Sequence, residues 1–152
     1  MVQGIELSRR FYAELVAPWL TRELPGLRHA AALVGYGSEL LGFDDGMSQD
    51  HNFGPRLQIF VADDECASAS AAVARFAEVM PATFLGLPMK VSSEPPYRKG
   101  ALADERHGVE VWTVSQAVAY WLGGVEPVSA QDWLGLAEQR LLALTAGAVF
   151  HD

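Results

Sequence analysis

The residues of this chain that are best suited to chemistry form three short groups, which are Gly37 with Ser38, Asp50 with Asn52, and Glu110. Side chains two positions apart in an extended segment point the same way, so Asp50 and Asn52 are placed to grip one cation. Their carboxylate and amide oxygens suit a hard divalent ion. A glycine–serine turn at a helix start offers backbone N–H groups and a hydroxyl to phosphate oxygens. Together the three groups would bind a phosphate compound complexed with a metal.

Nucleotidyl transfer is the reaction that such a set would serve. It needs a divalent metal to neutralise a triphosphate and to align the attacking and leaving oxygens. Glu110 lies in an alternating segment typical of a strand, from which it would complete the ligands of the cation. We predict that Asp50, Asn52 and Glu110 are the metal ligands and the catalytic residues, with Mg2+ or Mn2+ as the cofactor. Glu110 is also a candidate base for an acceptor hydroxyl.

The predicted nucleotide-binding residues are Gly37, Ser38 and Arg56. Arg56 is long enough to pair with a phosphate or with Asp50, although a structural salt bridge would explain it equally well. Gly37 and Ser38 are also typical of a strand-to-helix turn capped by serine. Asp50 could instead form a turn with its own backbone, and Glu110 could face solvent from an edge strand. Spacing alone leaves these alternatives open.

Helices and strands alternate along the chain and must position these residues. Apolar spacing predicts a helix over 5–24, which Pro18 kinks or divides. A second helix starts at the acidic residues 63–65 and runs to Met80, and a capping-box pattern from Ser129 opens a third that continues through Leu144. The predicted strands are 30–34, 56–61, 87–93 and 109–114. This mixture predicts an α/β (α+β) domain, with a mixed sheet flanked by helices. The predicted core includes Trp112, Trp121 and Trp133.

The size and charge of the chain limit its class. Its 152 residues suit one domain, and a net charge of −8 argues against binding to the backbone of DNA or RNA. The one cysteine, Cys66, allows no internal disulfide and favours the cytoplasm. No apolar run is long enough to cross a membrane, so no membrane partner is expected. The last predicted helix is apolar on more than one side and needs neighbours on both, which predicts that 1–152 is the first part of a longer chain.

Other phosphate and metal motifs do not fit. A dinucleotide-binding fingerprint would need a glycine at the position of Leu40, and the chain has no P-loop pattern. A calcium loop beginning at Asp50 would need glycine where Pro55 stands. The four histidines lack zinc-ligand spacing.

The chain resembles the polymerase-β-type nucleotidyltransferase superfamily in four features. These are an apolar strand, a Gly-Ser turn, an Asp-x-Asp-like pair and a later acid on a strand. The segments Leu33–Ser38, Leu41–Asp45 and Ser48–Arg56 resemble more specifically the bacterial family DUF4037, over nearly all of the chain. The resemblance implies a nucleotidyltransferase-like sheet, a nucleoside triphosphate as substrate and a helical domain that follows residues 1–152. It further implies transfer of a nucleoside monophosphate to a hydroxyl on an unknown small molecule or protein.

The chain departs from the superfamily pattern at two places. Asn52 replaces the second carboxylate of the pair, so magnesium binding should be weaker than with aspartate. Pro55 cannot donate to a sheet, so the next strand should start at Arg56. These departures favour an alternative, a weak or inactive nucleotide-binding or regulatory module of the same fold. A third hypothesis is the nucleotidyltransferase partner of a toxin–antitoxin pair, for which the apolar last helix is support.

Overall fold

The structure, a computed structural model, describes residues 4–35, 37, 40, 54–89 and 107–152. Within them, one mixed sheet contains the strands β1 (His29–Leu33), β2 (Arg56–Val61), β5 (Gly108–Trp112) and β6 (Ala148–His151). Their order is β5-β2-β1-β6, in which β1 is antiparallel to β2 and β6, and β2 is parallel to β5. A separate hairpin pairs β3 (Thr83–Phe84) with β4 (Leu87–Pro88). The predicted α+β class, with a mixed sheet flanked by helices, is confirmed.

The larger core lies between one face of the sheet and the helices that precede and follow its first two strands. These helices are α1 (Gly4–Phe11), a π-helical segment (Tyr12–Val16), α2 (Ala17–Glu23) and α3 (Cys66–Val79). Leu57, Ile59 and Val61 alternate along β2 and all three are buried in this core. The predicted limits of β2 are confirmed. Period-two alternation with β-branched residues specifies a half-buried strand, so a local pattern was sufficient here.

The predicted division of the first helix at Pro18 is also confirmed. Proline has no backbone N–H, so it cannot continue the regular helical hydrogen bonding. The π-helical segment before α2 accommodates the missing donor of Pro18. In this segment the Ala17 N–H donates to the carbonyl of Tyr12, five residues earlier. Such single π-turns inside helices are a known way of accommodating an irregular position.

The other face of the sheet carries a smaller core against α4 (Val114–Trp121) and α6 (Glu138–Thr145). Trp112, Ala117, Trp121 and Ala143 are its buried members, and Phe60 packs against them. A short helix, α5 (Ala130–Leu134), has no buried residue. The predicted burial is therefore confirmed for Trp112 and Trp121 and wrong for Trp133, which is 44% exposed on α5.

Several predicted boundaries differ from the structure for local reasons. The strand predicted over 109–114 ends at Trp112, because the Thr113 hydroxyl accepts from the Gln116 N–H and starts α4. The helix predicted from Ser129 to Leu144 is two helices, since Gly135 closes α5. In the strand predicted over 87–93, only Leu87–Pro88 is a strand among the described residues. The strand β6 had no prediction.

His29 lies at the start of β1 in a cluster that joins three parts of the chain. Its Nδ1 atom lies 3.3 Å from the Leu27 carbonyl, so in the neutral ring Nε2 accepts from the Tyr12 hydroxyl at 2.9 Å. The His151 ring centroid on β6 lies 4.9 Å away. Burial, followed by repulsion from His151, lowers the pKa of His29 below its usual value, against the opposing effect of the Leu27 carbonyl.

We expect this cluster to make stability fall in mild acid. The unfolded chain takes up a proton on His29 near pH 6.5, whereas the folded chain resists it. The free energy of unfolding should therefore be highest above about pH 6.5 and fall as the pH drops toward the lowered pKa of folded His29. Urea unfolding between about pH 5 and 8 measures this. The fall should be smaller in His29→Gln, and equal pH slopes in the two proteins would contradict the assignment.

Candidate functional site

Two of the predicted site residues that the structure describes, Arg56 and Glu110, lie on neighbouring strands near one edge of the sheet. At this edge β1 ends and its antiparallel neighbour β2 begins, and β5 begins beside β2. Arg56 pairs with Gly108, and Gln58 pairs with Glu110, in the parallel register of β2 and β5. Gly37 follows β1 by four residues, and Asp50 and Asn52 precede β2 in the sequence. The end of β1 and the starts of β2 and β5 therefore lie at the same edge of the sheet.

Gln58 joins the three strands at this edge through its side chain. It is only 7% exposed, and its Oε1 atom accepts from the backbone N–H of Val34 at 3.0 Å. Its Nε2 atom donates to Oε2 of Glu110 at 3.4 Å. A buried amide needs such partners, because leaving either end without one would cost about 1–3 kcal/mol. Gln58 therefore links the residue after β1 to the candidate acid on β5.

Glu110 is partly buried on the second face of the sheet and accepts hydrogen bonds from two directions. Besides Gln58, the indole Nε1 of Trp112 donates to the same Oε2 atom at 3.1 Å. Trp112 is itself held in the smaller core, where its ring lies 5.2 Å from that of Tyr120. β5 is an edge strand of the described sheet. The carboxylate of Glu110 is nevertheless oriented by buried donors and does not simply face solvent.

The loop after β1 is fixed from the other side by the last helices. The Gly35 N–H donates to the carbonyl of Ala143 on α6 at 2.9 Å. Gly35 has φ +108, and a Cβ there would lie 2.7 Å from the Trp121 ring. Glycine is therefore required at this position by both backbone conformation and space. Two residues later the carbonyl of Gly37 accepts from the Leu40 N–H at 3.2 Å.

The start of β2 is anchored on the first helix. The backbone N–H of Arg56 lies 3.4 Å from the hydroxyl of Ser8, which is buried on α1. Pro55, immediately before it, is also fully buried. The prediction that the strand begins at Arg56, directly after the proline, is confirmed. The side-chain role predicted for Arg56 stays a prediction.

The remaining predicted site residues, Ser38, Asp50 and Asn52, lie outside the described residues. The proposed cation site therefore combines one described ligand, Glu110, with two that are not described. Within residues 4–35, 54–89 and 107–152, no three histidine, cysteine or acidic side chains come together as a metal site. The predicted ligand set, which needs Asp50 and Asn52, stays a prediction.

Sequence reasoning missed Gln58 as a residue of this site. The alternation of Leu57, Ile59 and Val61 predicts burial only for the apolar face of β2. The available signal was a glutamine on the opposite face of a strand whose neighbours are strongly apolar, since such a residue is rarely buried without partners. Trp112 was predicted only as a core residue, and its contact with Glu110 was not foreseen.

A scan against protein-family models and searches of curated proteins and of solved structures find no match to this chain. In the part of the chain that the structure describes, no helix combines the length and the apolar character needed to cross a membrane. The nucleotidyltransferase function stays a prediction.

Proposed function

We propose that this chain is a metal-dependent nucleotidyltransferase domain of DUF4037 type. It would bind a nucleoside triphosphate with Mg2+ or Mn2+ and transfer the nucleoside monophosphate to a hydroxyl on a small molecule or protein. In this reaction the hydroxyl oxygen forms a bond to the α-phosphorus, the bond to the bridging oxygen breaks, and pyrophosphate leaves. The proton of the hydroxyl passes to a base, for which Glu110 is our candidate. The cytoplasm is the proposed compartment.

One observation carries the proposal, which is the chain of hydrogen bonds from Val34 through Gln58 to Glu110. Val34 opens the loop that contains Gly37, the candidate for contacts with phosphate. Glu110 is the candidate third ligand, and its carboxylate is the kind of oxygen donor that Mg2+ prefers. This connection supports a site in which phosphate-binding and metal-binding residues share one edge of the sheet.

Each group of residues has a separate task in the proposed site. Asp50, Asn52 and Glu110 would hold the cation, which when bound neutralises triphosphate charge and aligns the reacting oxygens. Gly37 and Ser38 would donate to phosphate oxygens from the backbone and the hydroxyl. The oxygen of Asn52 ligates without contributing charge, so the set has one negative charge fewer than three carboxylates would supply.

We expect Asp50→Ala to lower transfer about 10- to 100-fold, because removing a charged ligand weakens binding of the metal that neutralises the triphosphate. The assay incubates the full chain with ATP, CTP or GTP labelled at the α-phosphorus, with Mg2+ or Mn2+, and follows label on added acceptors and on the protein itself. Asp63→Ala is the matched control, since Asp63 is an exposed acid just beyond the opposite end of β2. Absence of both binding and transfer, or equal values in the two variants, would refute the proposal.

A second candidate, a nucleotide-binding module without turnover, is favoured by Asn52. The same assay separates the two functions, because such a module would bind the metal–triphosphate complex through Asp50 but transfer nothing. Asn52→Asp restores the missing carboxylate and should tighten metal binding. Appearance of transfer in this variant alone would support the module. An unchanged metal affinity would argue against residue 52 as a ligand.

A further inference from the structure

We propose that Gln58 is the positioning residue of the candidate metal ligand Glu110. It would hold the carboxylate of Glu110 in register with the loop that begins at Val34. This inference rests on the proposed function, because Gln58 acts through Glu110 and does not itself touch the cation or the triphosphate. Gln58 thereby connects the loop after β1 with Glu110 on β5.

The geometry uses both ends of the glutamine amide. Oε1 accepts from the Val34 N–H at 3.0 Å, on the β1 side, and Nε2 donates to Glu110 Oε2 at 3.4 Å, on the β5 side. Because β2 lies between β1 and β5, a side chain on β2 is placed to contact both neighbours. Only a group with an acceptor and a donor on one short stem makes both bonds, which is the property of an amide.

Trp112 supports the same oxygen from a second direction. Its Nε1 donates to Glu110 Oε2 at 3.1 Å, and its ring is buried in the smaller core. Two donors on one oxygen fix the rotation of the carboxylate better than one. Hydrogen-bond partners behind a metal ligand orient it, and losing one typically costs about 10- to 100-fold in metal affinity.

The bond to Val34 extends this effect to the triphosphate. Val34 lies three residues before Gly37 and four before Ser38, the candidate phosphate-binding residues. A change at Gln58 releases the start of that loop and the carboxylate of Glu110 together. Binding of the metal and binding of the triphosphate should therefore weaken in the same variant.

The primary test measures binding of Mn2+, with and without ATP, to the full chain at a temperature where every variant is folded. Gln58→Met keeps the length of the side chain and removes both hydrogen bonds, and it should weaken Mn2+ binding about 10- to 100-fold. Trp112→Phe removes the other donor and should also weaken it. Gln131→Met, an exposed amide on α5, is the matched control and should bind as the wild type does. Unchanged Mn2+ affinity in folded Gln58→Met would overturn the inference, even if that variant melts at a lower temperature.

A second variant keeps the inference falsifiable if Gln58→Met does not fold. Gln58→Asn keeps the amide and leaves Glu110 unchanged, but its side chain is one CH2 shorter, so it cannot make both the bond to Val34 and the bond to Glu110. We expect Mn2+ binding to weaken about tenfold in this variant. Wild-type Mn2+ affinity in folded Gln58→Asn would show that the hydrogen bonds of Gln58 are structural only.

The failure of the proposed function gives a different result. If the wild-type protein binds no Mn2+–ATP complex, or if Asp50→Ala binds this complex as tightly as the wild type does, the proposed function fails and the inference fails with it. If wild-type binding depends on Asp50 but not on Gln58, only the inference fails.

Discussion

Gly147→Ala should lower the free energy of unfolding by about 3 kcal/mol or more, because the added Cβ brings both an unfavourable backbone conformation and steric overlap. Gly147 precedes β6 with φ +118, a conformation that alanine adopts only at a cost. A Cβ there would overlap the backbone oxygen of Leu33 at the end of β1. Backbone atoms cannot rotate away, so β6 would have to separate from β1. A loss of this size corresponds to a fall in Tm of roughly 6–12 °C.

Gly26→Ala is the control for this experiment. Gly26 has φ +87, yet no heavy atom lies within 4 Å of a Cβ built there. It therefore carries the conformational cost alone, about 1–2 kcal/mol. Thermal and urea unfolding of both variants separate strain from overlap. Equal losses would show that the contact with Leu33 does not matter, and would argue against the close approach of β6 to the end of β1.

Phe11→Ala should cost about 3–5 kcal/mol, because it leaves a cavity in the larger core. The Phe11 side chain is fully buried on α1, and its ring lies 6.1 Å from that of Phe76 and 6.0 Å from that of Phe84. These rings belong to α3 and β3, so one side chain joins three separate parts of the chain. Urea unfolding measures the loss as a lower midpoint with an unchanged slope.

Leu134→Ala is the matched control for the core substitution. Leu134 is 84% exposed on α5, so its truncation removes apolar surface that is already in water. The expected change is within about 0.5 kcal/mol. A loss comparable to that of Phe11→Ala would mean that Leu134 is covered in solution, contrary to the structure.

The segment after β1, which leads to the candidate site, contacts helices that carry none of the predicted site residues. The loop after β1 is held by Gln58 on one side and by Ala143 of α6 on the other. Trp121 of α4 occupies the space that a side chain at Gly35 would need. The helices α4 and α6 therefore contact Gly35 near the start of the segment that we propose for phosphate contacts, although neither helix carries a predicted site residue.

Local patterns predicted much of the fold because they reflect local physics. The alternation over 56–61 specifies which side chains of β2 are buried, and the lost N–H of Pro18 divides the first helix wherever the rest of the chain lies. The end of β5 was also open to local prediction, because Thr113 and Gln116 form a capping box that starts α4. The strand β6 was not, since it is only four residues long and its pairing with β1 carries little local signal.

The sequence by itself determined which candidate groups are available, with acids and an amide as predicted cation ligands, a glycine–serine pair as a predicted phosphate site, and one glutamine within an apolar strand. It also determined the strand β2 that carries that glutamine. Only the tertiary structure decided which of these residues meet. Gln58 reaches Val34 and Glu110 across 24 and 52 residues of chain, and strand pairing over such separations depends on the packing of the whole sheet.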